Sequence, residues 1–339
     1  MNSPTIRDIA REANVGTATV ERVLNDRGGV RTELAERVIK AAKKLKYGDR
    51  RLRPHSGIIR IEVLLVQPQA EMFYADLNAT FQRISASLDP TILVHRTFVR
   101  EDDIAAIAQH IAKPPIRRAG LIVLAPDHPK ITESIRQVRM SGVEVVQLLT
   151  GSAGEDVPYI GIDNYAAGRT AAYYMSHMLQ GRSGTFLAMC HSGAYRAHRE
   201  RIGGFSDYLT QYTDDGHHFR LVIFGHDDNF LSAERLTQAL REDNRVIGLY
   251  TVGAGREGIA AALNAHPAKV FWIGHALSQG TAKCLRSGLM DICIDGAPET
   301  QARRSLDTVL RRLGLIDVDV SNAPVEFLTI TAQNLSISI

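Results

Sequence analysis

The segment TVGAGREGI, residues 251–259, contains three glycines with the spacing of a phosphate-binding turn. Gly253, Gly255 and Gly258 follow an apolar run and precede a helix-like stretch, as in the G-x-G-x-x-G turn that binds the pyrophosphate of a dinucleotide. Such a turn opens its domain's first βαβ unit and is followed about 20 residues later by an acidic ribose ligand. This segment lies far from the first strand, and that later position carries no carboxylate. The glycines therefore favour a sharp strand-to-helix turn at the carboxyl edge of a parallel sheet, with a nicotinamide-dependent oxidoreductase as the alternative.

Polar and aromatic side chains stand directly after other apolar runs, at the edge where parallel sheets bind their ligands. These residues are Phe73, Tyr74, Asp163, Asn164, Asp228, Asn229 and His275. Phe73 and Tyr74 could cover the apolar face of a ring or pack in a core, and Asp163 could equally cap a helix. With those alternatives open, we expect the residues to line a ligand-binding cleft.

The sequence contains no pattern typical of a metal site or a catalytic nucleophile. His191, His198, His217 and His218 do not pair with a carboxylate at i, i+4 spacing, and no Gly-x-Ser-x-Gly elbow occurs. The three cysteines have neither disulfide-framework nor zinc-ligand spacing. We therefore expect no enzyme, no cofactor and no metal.

The first fifty residues carry three short amphipathic patterns. Thr5 is a good helix cap with Asp8 in capping-box range, which predicts a first helix over residues 6–13. We expect Gly16 to supply unusual backbone angles in the following turn. A second helix is predicted from Thr17 to about residues 25–26, and a third after Thr32 as its cap.

Two helices joined by such a turn form a DNA-reading unit when the second helix enters the major groove. Arg22 could bond to guanine, while Ala18 and the Thr17 methyl suit thymine methyls. Thr5, Thr19 and Asn25 are placed for phosphates. Glu21 is the exception, since DNA repels a carboxylate unless it accepts from cytosine or turns away. A plain helical bundle remains the alternative.

Basic residues are concentrated at the start of the chain. Residues 1–60 contain 14 Lys and Arg against 7 Asp and Glu, whereas the remainder contains 26 against 30. A small basic module on a larger, slightly acidic body is typical of a polyanion-binding head, although a solvated charged surface is possible. The polar start and the lack of an apolar run of about eighteen residues predict a cytoplasmic protein with no membrane partner.

From Ile58 onward, apolar runs alternate with helical patterns, which predicts parallel sheets flanked by helices. The runs begin with IRIEVLLV, TILVHRTF, GLIVLA, VEVVQLL and YIGID. They continue with GTFLAMC, FRLVIFG, VIGLYTV, KVFWIGH, DICIDG and VEFLTIT. About ten strands with a crossover near Asp163 fit two similar lobes better than one very wide sheet.

The head resembles that of the LacI/GalR family of bacterial transcription regulators. The shared pattern is T-x-x-D-I-A-x-x-A-x-V over residues 5–15, then T-V-x-R-V-L-N over residues 19–25, then Val30 and a helix ending in Leu45-x-Tyr47. The layout of the body resembles the same family's effector-binding body, which shares its fold with periplasmic sugar-binding proteins. The expected fold class is a small all-α helix-turn-helix domain (1–47), a basic linker (48–57) and a two-lobed, doubly wound α/β body of the periplasmic-binding-protein type I (58–339).

The resemblance also implies effector-binding residues. Arg201 in RAHRERIGGF matches the arginine that grips the effector's hydroxyls, and Asp163 and Asn164 match a strand-then-helix motif. The chain departs from the family pattern at three places, with Ala254-Gly255 for an Asn-Asp pair, His275-Ala276 for an acidic residue and Gly296 for a glutamine. A standard pyranose is therefore less secure as the effector, and a polyol, a sugar acid or a sugar-amine conjugate is open.

The linker GDRRLRPHSG, residues 48–57, is atypical for the family. The resemblance implies a hinge helix that inserts a leucine into the minor groove, and Leu52 is the one candidate. Pro54 would break such a helix. Arg50, Arg51 and Arg53 could instead follow the minor groove as a disordered basic arm, or the segment could be a plain solvated linker.

The sequence is thus interpreted as a transcriptional regulator, expected to be a repressor. Its expected partners are double-stranded operator DNA, a small effector (a sugar, polyol or sugar acid) and a second copy of the chain paired through the body. The alternatives are a periplasmic-type sugar-binding protein without a regulatory role and the oxidoreductase considered above.

Overall fold

The computed structural model of the chain describes residues 5–24, 30–45, 58–67, 72–152, 157–212, 216–253 and 255–335. Three helices form the head: α1 spans Ile6–Ala13, α2 spans Thr17–Leu24 and α3 spans Thr32–Lys44. Each contributes a fully buried side chain, namely Ile9, Val20 and Val38. The predicted bounds of α1 are confirmed, and the Thr5 N–H and hydroxyl both donate to the Asp8 carboxylate at 2.7 Å.

Two local predictions in the head were wrong. The left-handed residue of the first turn is Asn14, with φ of 51°, because asparagine tolerates this conformation. Gly16 instead is the residue just before α2, and its carbonyl accepts from the N–H groups of Thr19 and Val20. The third helix starts at Thr32 itself, because the preceding carbonyl of Arg31 already accepts the first helical hydrogen bonds.

The first lobe is a five-stranded parallel sheet with the order β2-β1-β3-β4-β5. Its elements are β1 (Ile59–Gln67), α4 (Met72–Ala86), β2 (Ile92–Arg100), α5 (Ile104–Ala112), β3 (Gly120–Leu124), α6 (Pro129–Met140), β4 (Glu144–Leu148) and β5 (Tyr159–Ile160). The central strands β1 and β3 are mostly apolar and buried because helices cover both faces of the sheet, and Glu62 on β1 is a buried exception.

The second lobe is a six-stranded sheet with the order β11-β10-β9-β8-β6-β7. Its elements are α7 (Asn164–Met178), β6 (Gly184–Cys190), α8 (Arg196–Tyr212), β7 (His217–Phe224), α9 (Asn229–Glu242), β8 (Val246–Val252), α10 (Arg256–Ala265), β9 (Phe271–His275), α11 (Gln279–Arg286), β10 (Ile292–Asp295), α12 (Pro298–Arg312) and β11 (Leu328–Ile330). Within this sheet the strands are parallel except that β11 runs antiparallel to β10.

The two lobes repeat one topology, which confirms the doubly wound, two-lobed fold. In each sheet the first strand lies between the second and the third, so each has a switch point at which a crevice opens beyond the carboxyl ends of the strands. The chain crosses between lobes after β5, as predicted. It crosses again after β10, where α12 packs on β3, β4 and α4 of the first lobe. β11 then returns to the second lobe.

Buried residues form one shared core and separate outer cores. The shared core joins the inner faces of both sheets to α7, α8 and α12, and includes Phe81, Phe186, Phe205 and Tyr250. Within the part of the chain that the structure describes, no helix combines the length and the apolar character needed to cross a bilayer.

Candidate functional site

The exposed face of α2 presents the residues predicted to read DNA. Thr17, Ala18, Glu21 and Arg22 are exposed, while Val20 is buried against α1 and α3. Ala18 and Arg22 are four residues apart and therefore share one face of the helix. Thr5 is also exposed and Thr19 is partly exposed. The predicted contacts Asn25, Arg50, Arg51 and Leu52 lie outside the described residues.

A side chain of α3 hydrogen-bonds to the turn that precedes α2. Arg37 on α3 donates from its guanidinium to the carbonyl oxygens of Ala13, at 2.7 Å, and of Asn14, at 3.2 Å. These carbonyls belong to the end of α1, where a cation satisfies acceptors that the helix itself leaves open. Arg37 therefore ties α3 to the end of α1, just before α2 begins.

A cavity of about 130 Å³ lies between the two lobes. This volume is roughly ten times what a single water needs. Leu124, Leu149 and Thr150 of the first lobe line one side, at the carboxyl ends of β3 and β4. The polar groups contributed by the second lobe are His191, Tyr195, His198, Arg201, Asp227, Thr251, Arg256, His275, Thr281 and Asp295. The cavity thus occupies the place that the sheet topology predicts.

Arg201, on α8, is the cation in the middle of this lining. Its Nε donates to Oδ1 of Asn164 at 2.8 Å. Burial lowers the pKa of Arg201, but a guanidinium keeps its charge at neutral pH. Burial also raises the pKa of Tyr159 to about 12 and raises that of Tyr250, so both phenols stay neutral.

Two neutral histidines lie beside Arg201. Burial, together with the charges of Arg201 and His191, lowers the pKa of His198 to about 3. Burial, together with Arg201 and His198, lowers the pKa of His275 well below its usual value. Nε2 of His275 lies 2.7 Å from the hydroxyl of Tyr250. Arg201 therefore has two neutral imidazoles beside it, and charged His191 and Asp227 also act on His198.

His191 differs from its neighbours because two carboxylates hold it. Its Nε2 lies 2.9 Å from Glu101 of the first lobe, and its Nδ1 lies 3.0 Å from Asp227 of the second. Burial disfavours the imidazolium, but the bonds to Asp227 and Glu101 outweigh it and raise the pKa of His191 to about 10. His191 is therefore a charged bridge between the lobes.

Asp295 and Arg256 bring opposite charges to the cavity wall. The Asp295 carboxylate ends β10 and accepts from the backbone N–H groups of Leu277, at 3.0 Å, and Ala297, at 3.1 Å. Arg256 is the first residue of α10. Both side chains act electrostatically on the thiol of Cys293, so they face the same region of the second lobe.

Among the predicted effector residues, the structure brings Arg201 and His275 to the cavity and Asn164 against Arg201. Asp163 and Asp228 instead accept from N–H groups in the first turns of α7 and α9, as helix caps. Asn229 bonds to the start of α10. Phe73 and Tyr74 lie in the first turn of α4, and their side chains are outside the described part of the structure.

Sequence reasoning missed His191, His198, Arg256 and Asp295. His191 and Asp295 stand at the ends of β6 and β10, and Arg256 begins the helix after β8. Ligands bind beyond the carboxyl ends of parallel strands, so the residues after every predicted strand were candidates, and these three would have been among them. His198 lies one helical turn before Arg201 and carries no comparable sequence signal.

The glycines of GAGREG have a packing explanation. A Cβ on Gly258 would lie 1.8 Å from the carbonyl oxygen of Asn229, and one on Gly255 would lie 2.5 Å from the Asn229 nitrogen. The amide of Gly255 donates to the hydroxyl of Ser232, and that of Gly258 donates to the side chain of Asn229. Side chains of α9 therefore occupy two of the amides that a phosphate would need.

Two family models match the chain. Residues 65–314 match the model of the periplasmic binding protein domain, and residues 5–48 match that of bacterial regulatory proteins, lacI family. Among solved structures, the chain is similar to GanP, a glucose-galactose binding protein from Geobacillus stearothermophilus. The TM-score is 0.72 at 17% identity, and the match covers 83% of this chain and 100% of that one.

Curated relatives include two bacterial regulators. The ribose operon repressor of Halalkalibacterium halodurans is 33% identical over 98 residues, which cover 27% of this chain and 29% of the relative. Catabolite control protein A of Staphylococcus xylosus is 24% identical over 213 residues, covering 61% of this chain and 62% of the relative. The chain spans less than two thirds of the length of these relatives.

Proposed function

Because the chain belongs to the periplasmic binding protein domain family and carries a lacI-family head, we propose that it is a DNA-binding transcriptional regulator controlled by a small polar effector. The head, residues 1–47, reads an operator, residues 48–57 connect it, and residues 58–339 bind the effector and pair two copies of the chain. Two heads bind a pseudo-palindromic site together, because one head buries too little DNA surface for specific affinity.

A single observation carries this proposal. One chain combines an exposed α2 face bearing Arg22 with a polar cavity between two lobes joined by several crossings. A sugar-binding protein without a regulatory role would need only the lobes. A ligand that changes how the lobes are held can alter the spacing of paired heads, which couples the two sites.

The DNA-reading role is tested by selecting duplexes from a random pool with the full chain and then measuring affinity for the selected sequence and for a scrambled one. The wild type is expected to prefer the selected sequence. Arg22→Lys keeps the charge but loses the planar fork that pairs with guanine. We expect it to lose about 5- to 150-fold of the preference, equivalent to about 1–3 kcal/mol, while keeping salt-sensitive binding to any duplex.

Arg22→Ala serves as the second arm. It is expected to lose the same preference and also to weaken binding to the scrambled duplex by the phosphate attraction that one charge supplies. Equal weakening on both duplexes by both variants would show that Arg22 reads no base. No enriched sequence from the wild-type chain would refute the regulator itself.

A further inference from the structure

The cavity between the lobes continues onto the second face of the six-stranded sheet. Successive side chains of a strand point to opposite faces, and Trp272 and Ile273 of β9 accordingly belong to different cores. Ile294, which faces the core shared by the lobes, lines the cavity, and so do Ile259, Trp272 and Met290 of the second lobe's outer core. The cavity therefore has an interlobe compartment and an outer compartment, the latter enclosed by Ile259, Trp272 and Met290 between the sheet and α10.

Small residues line the passage between the two compartments. Gly253, Ala276 and Gly296 are the first residues after β8, β9 and β10, and all three line the cavity. Ala276 and Gly296 also lie at positions where the sequence departs from the family pattern, which implies an acidic residue and a glutamine there. Because none of the three has a side chain longer than a methyl group, the passage over the strand ends stays open.

The polar side chains next to the outer compartment already have partners. The hydroxyl of Thr251 accepts from Nε1 of Trp272 at 2.9 Å, and that of Thr281 accepts from the backbone amide of the α11 cap at 2.7 Å. Each hydroxyl also donates to a backbone carbonyl. Arg256, at the start of α10, and Asp295, at the end of β10, carry opposite charges. Since a buried water needs about two to four polar partners, an apolar group suits this space better than water or an ion.

From this arrangement we propose that the effector is a polyhydroxylated compound with a small apolar substituent, whose hydroxylated body lies between the lobes and whose substituent enters the outer compartment. The inference rests on the proposed role of the cleft as the effector site and names the class of its ligand. An unsubstituted sugar would leave the outer compartment empty. Ile259, Trp272 and Met290 would then lack the dispersion contacts that an apolar group supplies.

The outer compartment has a built-in reporter, because Trp272 is the one tryptophan of the sequence. Xenon enters dry apolar cavities and quenches tryptophan emission on contact, whereas iodide stays in water. Trp272 is 1% exposed. We therefore expect xenon under pressure to quench the emission of the full chain and iodide to leave it almost unchanged. Emission that responds to neither would show that the outer compartment is closed and would overturn the proposal.

The ligand class is tested by isothermal titration of the full chain, without DNA, with probes that differ only in an apolar substituent. The probes are D-glucose, D-galactose and D-xylose, each compared with its α- and β-propyl glycosides. At least one propyl glycoside is expected to bind about tenfold or more tightly than its free sugar, because burying an aliphatic group of this size contributes at least that factor. Equal or weaker binding of every glycoside, or no binding of any, would overturn the proposal.

Gly296→Gln places in the passage the side chain that the family resemblance implies there. A Cβ at this position would lie 3.1 Å from Nε2 of Gln301, the far end of a flexible side chain that can shift. We expect the variant to lose the preference for the propyl glycoside over the free sugar. Gly203→Gln on α8 is the matched control and should keep that preference, because nothing lies within 4 Å of its added Cβ.

Ile259→Val changes the outer compartment itself. It removes one methyl group, a change that cores tolerate at a cost of modest size, and is expected to shift the preference from the propyl towards the butyl glycoside. An unchanged order of affinities in Ile259→Val would count against the proposal even if Gly296→Gln fails to fold.

Because these titrations contain no DNA, their failure leaves the duplex selection to stand alone. Conversely, glycoside binding by a chain that selects no duplex would support the ligand class and refute the regulator.

Discussion

His191 makes the most deeply buried charged contact between the two lobes. It is buried at the cleft, between Glu101 on the loop after β2 and Asp227 on the loop after β7. Replacing it with glutamine would leave two carboxylates facing each other across a low-dielectric gap. The position therefore links the stability of the fold to pH.

His191→Gln is expected to lower the free energy of unfolding by about 2–4 kcal/mol at pH 6, somewhat below the cost of breaking a fully buried pair because Glu101 is partly exposed. The pKa of His191 is raised from 6.5 to about 10 by folding, so its contribution is complete below pH 6.5 and is lost as the pH rises to about 10.

Urea unfolding of both proteins at pH 6, 8 and 10 measures this effect. The difference in unfolding free energy between wild type and His191→Gln should shrink steadily over that range. His218→Gln, exposed on β7, is the control and should change the free energy of unfolding by less than about 0.5 kcal/mol. A gap that is constant for His191→Gln would mean that the imidazole is neutral in the folded chain.

Glu62 and Arg118 form a second buried charge pair, in the first lobe. Both side chains are 1% exposed, and the Glu62 carboxylate also contacts Thr97 and His110. Burial lowers the pKa of Arg118 to about 10, which still leaves it charged at neutral pH. The buried Glu62 carboxylate thus depends on several partners, of which Arg118 is the charged one.

Arg118→Met should destabilise the chain by about 3–5 kcal/mol, because it leaves the Glu62 charge buried without its main partner. The neighbouring Arg117→Met, on the exposed surface, should change stability by less than about 0.5 kcal/mol. Equilibrium urea unfolding compares the two. Similar values for both variants would show that the pair contributes nothing to the fold.

Individual site residues could be predicted only in part. The rule that ligands bind at strand ends led to Asp163 and Asp228, but both precede helices, whose free N–H groups captured the carboxylates as caps. His191 and Asp295 obey the same rule, and their orientation depends on partners from distant segments. Those partners, Glu101 and the Leu277 amide, cannot be paired with them from sequence spacing.

At the scale of elements, α7 and α8 are held in unusually close contact by glycine. A Cβ on Gly168 of α7 would lie 2.0 Å from the carbonyl oxygen of Arg201, and one on Gly204 of α8 would lie 2.1 Å from that of Tyr165. This approach sets the position of Arg201 on α8, so the packing of two helices determines the geometry of the cleft.

Gly204→Ala should therefore destabilise the chain by roughly 2–3 kcal/mol or more through overpacking. The adjacent Gly203→Ala is the matched control, because nothing lies within 4 Å of its added Cβ. It should stabilise the helix by about 0.5–1 kcal/mol, since alanine is the better helix former. Thermal unfolding of both would contradict this account if Gly204→Ala were as stable as the control.

The elements themselves were largely predictable, because their patterns are local. The apolar runs named from the sequence coincide with strands, and α1 has its predicted bounds. The return of α12 to the first lobe was not predicted. Its place follows from contacts such as Arg312 with Glu144, at 2.6 Å, which join segments far apart in the chain.

At the scale of the whole molecule, charged contacts cross from one lobe to the other around the cavity. Glu101 pairs with His191, and Asp127, after β3, pairs with Arg199 on α8. The Asp127 amide also donates to the carbonyl of Ala194 at 2.8 Å. A ligand that binds among these contacts can shift the equilibrium between two arrangements of the lobes. The size of the shift is set by the difference in its affinity for the two arrangements.

The central claim is that ligand binding in the cleft changes the DNA affinity of the head. A fluorescence anisotropy titration tests it most directly. A labelled duplex from the selection is titrated with the full chain, alone and with a saturating amount of the probe that binds most tightly. A coupling free energy of about 1–3 kcal/mol predicts a change of roughly 5- to 150-fold in DNA affinity, absent in Arg201→Ala. The same affinity with and without ligand, in a chain shown to bind both, would contradict the account.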